Sequence, residues 1–443
     1  MSVSFVGLLL LTISGGQYND LLDLLQTQAY WANQGVTLSA QSMEAELAPG
    51  KEPATKPRSG PKAAAVRRLM AIRALGELKS ATSLPALRAL AGSKALFEAD
   101  YAAAAIAAIE GKPYTRPKGA AKELQKDVWM LPAECAMVAQ IKLLPGRPVD
   151  YDAILKEYAA MTGGELPAKA LEQLTAQLVM AAEYVGNIRI EGLTIGLPGE
   201  IGPNSGYVAM IARGKYDSAH VKKMVLEAGG PRAQVKTVDG VEVVGLGPDA
   251  AVILPSDDCL VLLAGPRSET LPVSAMAAAV KAGRGTLAPE SEMGKLIGSL
   301  DASAALWAAV KVSEGYRKAP QLAPFDTMTL VGTYDKDVLA AKLVAKGPDA
   351  AKIASTISEF NIQLQDAREA VKQQGQQIPK AIVDFLGSVT VTSEANTATV
   401  TARLKGGSVA MALLPWFAMR GSPRPAPPPG ESPGGPAPGP DNF

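Results

Sequence analysis

Side chains able to do chemistry are sparse in this 443-residue chain. It holds one histidine, His220, and two cysteines, Cys135 and Cys259. A lone imidazole cannot build a multi-histidine metal site. No His-Glu-x-x-His, Cys-x-x-Cys or Gly-x-Ser-x-Gly string occurs, so the common zinc, dithiol and hydrolase-elbow routes lack their residues. Carboxylate pairs of the kind acid–base chemistry needs occur at Asp257-Asp258 and at Asp150 with Asp152. The first lies in turn chemistry. The second opens a helix, where negative charge suits the dipole. Gly163-Gly164 and Gly245-x-Gly247 match no phosphate-binding pattern and read as turns. The sequence thus nominates no catalytic residue, no metal ligand and no cofactor, and the expected function is non-enzymatic.

The only repeated polar features are two Tyr-Asp corners. Shifting the chain by 118 residues lays Met210, Gly214, Tyr216, Asp217 and Gly229 on Met328, Gly332, Tyr334, Asp335 and Gly347. Val221, Val225 and Leu226 fall on Leu339, Leu343 and Val344. Each copy reads as strand, corner and amphipathic helix, with the Asp as helix cap and the Gly as helix stop. His220 falls on Val338, so the histidine is not part of the repeated pattern.

The elements that would position these residues follow from composition. Apolar residues make up 47% and charged residues 20%, which fits a globular chain of two or three domains. A net charge of +1 argues against a whole-protein polyanion binder, so nucleic acid is not an expected partner. Cys135 and Cys259 each sit in an apolar strand-like run. Two buried thiols and a disulfide both remain open there, with buried thiols favoured because isolated strand cysteines behave as small hydrophobes.

In chain order, Val3–Ile13 is an apolar run followed by Ser-Gly-Gly, the length and flank of a secretory h-region and too short to span a bilayer. Residues 1–16 are read as a signal peptide, although the run lacks preceding Lys or Arg. Residues 17–61 read as a helix and a Pro-rich linker. Residues 62–118 form an Ala-rich helical block, with nine Lys or Arg against one acid between Lys56 and Lys94. Beyond them, Asp239-Gly240 is the strongest hairpin signal. Strands are expected at 131–144, 188–197, 250–254, 259–264, 304–312, 388–392 and 397–404. Helices are expected at 151–161, 167–185, 268–282 and 349–374, the last with Ile353, Ile357, Phe360 and Leu364 on a 3.6 period. The run Val409–Met419 is expected to pack on the sheet, and the Pro/Gly-rich residues 421–443 to be a disordered tail.

The string from Val66-Arg67 through Ala74-Leu75-Gly76 to Leu84-Pro85-Ala86-Leu87, with an Ala-rich helix at Tyr101–Ile109, resembles short HEAT repeats of the phycobilin-lyase type. The resemblance covers about a tenth of the chain, and one and a half repeats are fewer than a free-standing solenoid needs. It implies a protein-binding surface, on which exposed arginines Arg67, Arg73 and Arg88 are the candidate partner-binding residues. The larger region, opening at Leu131-Pro-Ala-Glu, resembles uncharacterised secreted bacterial proteins with repeating halves, which implies location and no mechanism.

The expected fold class is α+β. A HEAT-like helical block (62–118) precedes an internally duplicated antiparallel α+β domain (119–420). The expected function is an interaction or scaffold protein with an unidentified protein partner, exported, periplasmic or envelope-associated, touching membrane only at the surface. A cytoplasmic scaffold is the alternative, followed by an enzyme with a non-standard site in the α+β domain.

Overall fold

The computed structural model describes residues 22, 25–47, 62–114, 124–142, 176, 179–199, 206–265, 271–335, 338–374 and 380–405. The runs 3–13 and 409–419, the linker 49–61, the tail, Asp150, Asp152 and Gly163-Gly164 lie outside the described residues.

Among the described residues the chain begins with α1 (Thr27–Asn33), α2 (Ala40–Glu46), α3 (Ala63–Glu77), α4 (Leu84–Ala91) and α5 (Glu98–Ile109). Then come α6 (Leu124–Asp127), β1 (Cys135–Lys142), β2 (Arg189–Pro198), β3 (Val208–Lys215) and α7 (Ser218–Gly229). Next are β4 (Gln234–Val238), β5 (Val241–Gly245), β6 (Ala250–Ser256), β7 (Cys259–Ala264), α8 (Val273–Ala282) and α9 (Glu292–Gly298). The chain continues through β8 (Leu306–Lys311), α10 (Glu314–Arg317), β9 (Thr327–Asp335) and β10 (Val338–Lys346). It closes with α11 (Ala350–Gln374), α12 (Lys380–Ser388), β11 (Thr390–Glu394) and β12 (Thr397–Lys405). The class is α+β, as expected.

Among the described residues, twelve strands join one antiparallel sheet in the order β11-β12-β10-β9-β8-β1-β2-β3-β7-β6-β5-β4. The β4–β5 turn follows its sequence signal: Asp239 (φ 54°) and Gly240 (φ 82°) take the two left-handed positions a tight hairpin requires. Outward from the central β1–β8 pair, one wing reads β2, β3, β7, β6, β5, β4 and the other reads β9, β10, β12, β11. In each wing a helix follows the second strand out, and the last strand in sequence returns beside that second strand.

This order corrects the 118-residue echo. The helix expected after Asp335 is instead β10, paired along its length with β9 and β12. Leu339, Ala341, Leu343 and Ala345 satisfy an alternating pattern as well as a helical one, and strands on both sides decide between them. By position, β3 therefore corresponds to β10. Both are followed by an aspartate at a helix start: Asp217 accepts from His220 N at 3.0 Å, and Asp349 from Ala351 N at 3.0 Å and Lys352 N at 3.1 Å.

Alternation assigns the two faces. Val243 and Ile253 point to α8 and α9, in a core with Ile211, Val261, Leu263, Met276 and Trp307. Their neighbours Val244 and Val252 point to α7 on the other face. On that second face of the far wing, α11 and α12 cover Leu343, Ala345, Val391, Ala398 and Val400. The first face of that wing is polar and reaches solvent through Thr333, Lys342, Lys346, Thr390, Thr392 and Arg403. An antiparallel sheet tolerates this because only one side must be buried.

The helical block does not stand alone. Its core merges with residues 179–185 and with Met224 of α7. The Arg189 guanidinium stacks 5.1 Å from the Phe97 ring centroid and pairs with Asp100 at 2.5 Å, and Lys62 reaches Asp217 at 2.5 Å.

Candidate functional site

The buried ionisable groups come first, because they are where catalytic pKa tuning would be found. Asp127, fully buried, accepts from Arg213 Nε at 3.0 Å on both carboxylate oxygens and from Nη2 at 2.7 Å. Burial opposes the charge on Arg213, but the Asp127 hydrogen bond outweighs it, and the guanidinium stays firmly protonated. This pair fixes α6 to β3. Glu183 accepts from Tyr30 Oη at 3.2 Å and Gln34 Nε2 at 2.9 Å, tying α1 to residues 179–185. Burial pushes the Glu183 carboxyl up. Each of these groups bolts one element to another.

The nominated chemistry is equally structural. His220 is buried, with Nε2 2.9 Å from the Tyr184 carbonyl oxygen. Cys135 and Cys259 are free and buried, and burial pushes both thiols up to about 12, far from the thiolate a nucleophile needs. Asp257 and Asp258 form the β6–β7 turn, where their backbone carbonyls receive Tyr216 N and Gly214 N. Asp217 is pushed up by burial, but the hydrogen bonds from Lys62 and His220 N outweigh this and hold its carboxyl below the usual range. Among the described residues no cluster of His, Cys, Asp and Glu could hold a metal ion.

The three nominated arginines separate. The expectation that Arg67 is exposed is corrected: its side chain is 8% exposed, bonded to Glu46 at 2.8 and 3.2 Å and to Gln34 at 3.0 Å, and stacked 5.2 Å from the Trp31 ring centroid. Arg73 donates to the Leu22 and Leu25 carbonyls, both at 2.9 Å, and to Glu77, so it staples the preceding segment onto α3. Only Arg88 projects into solvent, 63% exposed, with Glu110 at 3.3 Å. The fold gives the three no common surface.

A shallow, open groove lies elsewhere. Along one flank of α11, Ala354, Ser358, Asn361 and Gln365 face a groove of about 480 Å³, completed by Ile357, Ile362, Asp366 and Ser393. The helix forms because its buried stripe, Ile353, Ile357 and Leu364, seats on the sheet, and Arg368 ties it to the Leu386 and Val389 carbonyls. At 100° per residue Ile362 lies well off that stripe, and it is 59% exposed. Phe360, expected on the buried stripe, falls at its opposite margin and is 44% exposed. Among the described residues the groove is walled by α11 and β11 alone, which places it at the outer margin of the sheet. Ile362, an apolar residue off the helical stripe, was its one visible signal.

No family model matches the chain, and no curated protein matches it. Among solved structures, TP0453 in crystal form III is 11% identical over 65% of this chain and 98% of that chain, with a TM-score of 0.35. Crystal form I of TP0453 gives 11% identity over 65% and 96%, with a TM-score of 0.34. A likeness at this level carries no argument about fold or function.

Proposed function

We propose that this is a non-enzymatic protein-interaction protein whose working surface is the groove between α11 and β11. The observation that carries the reading is an accessible isoleucine, Ile362, beside polar Ser358, Asn361 and Gln365 in a groove at the sheet's margin. Export to the periplasm or cell envelope is part of the proposal and rests on the apolar run Val3–Ile13. The helix pair α3–α4 and the start of α5 support the HEAT-like reading of the block. Its role is then to brace residues 179–185 and α7. The matching order of the four strands nearest the centre in each wing, with Asp217 and Asp349 at corresponding helix starts, supports an internal duplication with β3 and β10 as counterparts.

The test is affinity purification from the native cell with the intact chain and with Ile362→Asp. A partner retained by the first and lost by the second supports the reading. Identical partners with both would refute it. Export is tested by the amino terminus of the mature protein, which should start after the apolar run.

A further inference from the structure

The groove lies where the sheet ends, and the two ends of the sheet differ. At one end, β4 (Gln-Val-Lys-Thr-Val) carries Lys236 at its centre and packs against α8. A central charge is a common guard against edge-to-edge pairing. At the other end, β11 (Thr-Val-Thr-Ser-Glu) has neither cation nor proline within it, and β12 is its only strand partner among the described residues. Among the described residues no strand pairs with its outer side, which leaves its backbone N–H and C=O groups for an incoming chain.

The dimensions agree. From Ala354 to Gln365 the groove-facing stripe of α11 rises roughly 16 Å, at about 1.5 Å per residue. Five residues of extended chain, the length of β11, span about 17 Å. Successive side chains of an added strand alternate between faces, so every second one would turn toward α11. There Ala354, Ile357 and Ile362 offer apolar contact, and Ser358, Asn361 and Gln365 offer hydrogen bonds. Two carboxylates, Asp366 in the groove wall and Glu394 at the end of β11, have no ion-pair partner among the described residues. They favour a basic side chain on the incoming segment.

We propose that the groove binds an extended segment of a partner protein as a thirteenth strand beside β11. The segment carries small apolar residues at alternate positions and a Lys or Arg at its ends. This rests on the reading of the groove as the working surface. Main-chain hydrogen bonds to β11 would supply affinity, and the α11 wall would supply selectivity.

The experiment uses the full chain and a labelled capped peptide, Lys-Thr-Val-Thr-Val-Thr-Lys, with Glu-Thr-Val-Thr-Val-Thr-Glu as control. Fluorescence anisotropy measures binding, and hydrogen exchange follows residues 390–394. The lysine peptide is expected to bind at least tenfold more tightly than the glutamate peptide and to slow exchange at 390–394. Ile362→Asp and Asp366→Lys, both surface changes checked for unaltered melting, should each weaken it about tenfold or more. Equal binding of both peptides, or binding without slower exchange at 390–394, overturns the strand-addition proposal. Two outcomes assign the groove to other occupants and also overturn it. One is protection at 390–394 already present in the free monomer, with a cross-link from position 362 to residues 409–419. The other is protection that rises with protein concentration as a dimer forms. If the peptide fails while Ile362→Asp still loses a native partner, strand addition is wrong and the groove reading stands. If neither responds to the groove variants, both fall.

Discussion

The Asp127–Arg213 pair offers the sharpest test of how the sheet is held to the segment that leads into it. Asp127 is fully buried, and the Arg213 side chain is 9% exposed. Three hydrogen bonds of 2.7–3.0 Å join them. The remaining acid near Arg213, Asp258, lies 3.8 Å away and is largely solvated, so it cannot substitute. Arg213→Met therefore removes three hydrogen bonds and the opposite charge from a buried carboxylate, and breaking such a pair costs about 3–5 kcal/mol. Asp127→Leu strands the guanidinium at a similar cost. The double variant Asp127→Leu/Arg213→Met removes both charges. It should recover about 2 kcal/mol or more relative to either single variant, because a buried ion pair contributes little beyond an apolar replacement. Urea unfolding of the four proteins measures the cycle. Thermal unfolding should show the single variants melting about 3–7 °C lower. A loss below about 1 kcal/mol for Arg213→Met, or strictly additive singles, would refute the buried bidentate pair and the docking of α6 built on it.

Other expectations follow from the same geometry. Arg67→Met should destabilise the fold by about 1–3 kcal/mol, since it removes the three hydrogen bonds that a buried guanidinium makes to half-buried Glu46 and Gln34, while Arg88→Glu should change stability by less than about 0.5 kcal/mol. Chemical denaturation of both variants checks the contrast, and equal effects would contradict the placement of these side chains. Cys135 and Cys259 should resist alkylation at pH 8 in the folded protein and react fully after unfolding. Their folded thiols titrate near 12 against an ordinary value of 9.0, so the unfolded chain loses these protons first. Stability from the buried thiols is thus fully present below pH 9 and lost as pH rises toward 12. Denaturation midpoints measured across that window, with Cys→Ala variants as reference, test the sign.

Much of this architecture is legible from local pattern. The Asp239-Gly240 hairpin, the strands around Cys135 and Cys259, and the helix beginning at Asp349 depend on turn chemistry and periodicity within a short window, which sequence shows directly. The segment 338–346 is different. Its apolar residues fit two periods, and it is a strand because β9 and β12 lie on either side. The strand order of the sheet is a relation among distant residues, so neither the counterpart of β3 nor the edge position of β11 can be read from spacing. The arginines illustrate the same limit. Composition marks a basic stretch, but burial of Arg67 depends on Trp31, Gln34 and Glu46, more than twenty residues upstream in and beside two other helices. The groove escaped sequence analysis for this reason too: α11 and Ser393 meet only in the folded chain.

The most direct test of the central claim is site-specific photo-cross-linking in the native cell, with benzoylphenylalanine placed at position 362 and, as control, at position 236 on the opposite sheet edge. A discrete protein adduct from position 362 that is absent from position 236 is the predicted result. The same adducts from both positions, or adducts from 236 alone, would contradict the assignment of the α11–β11 groove as the working surface.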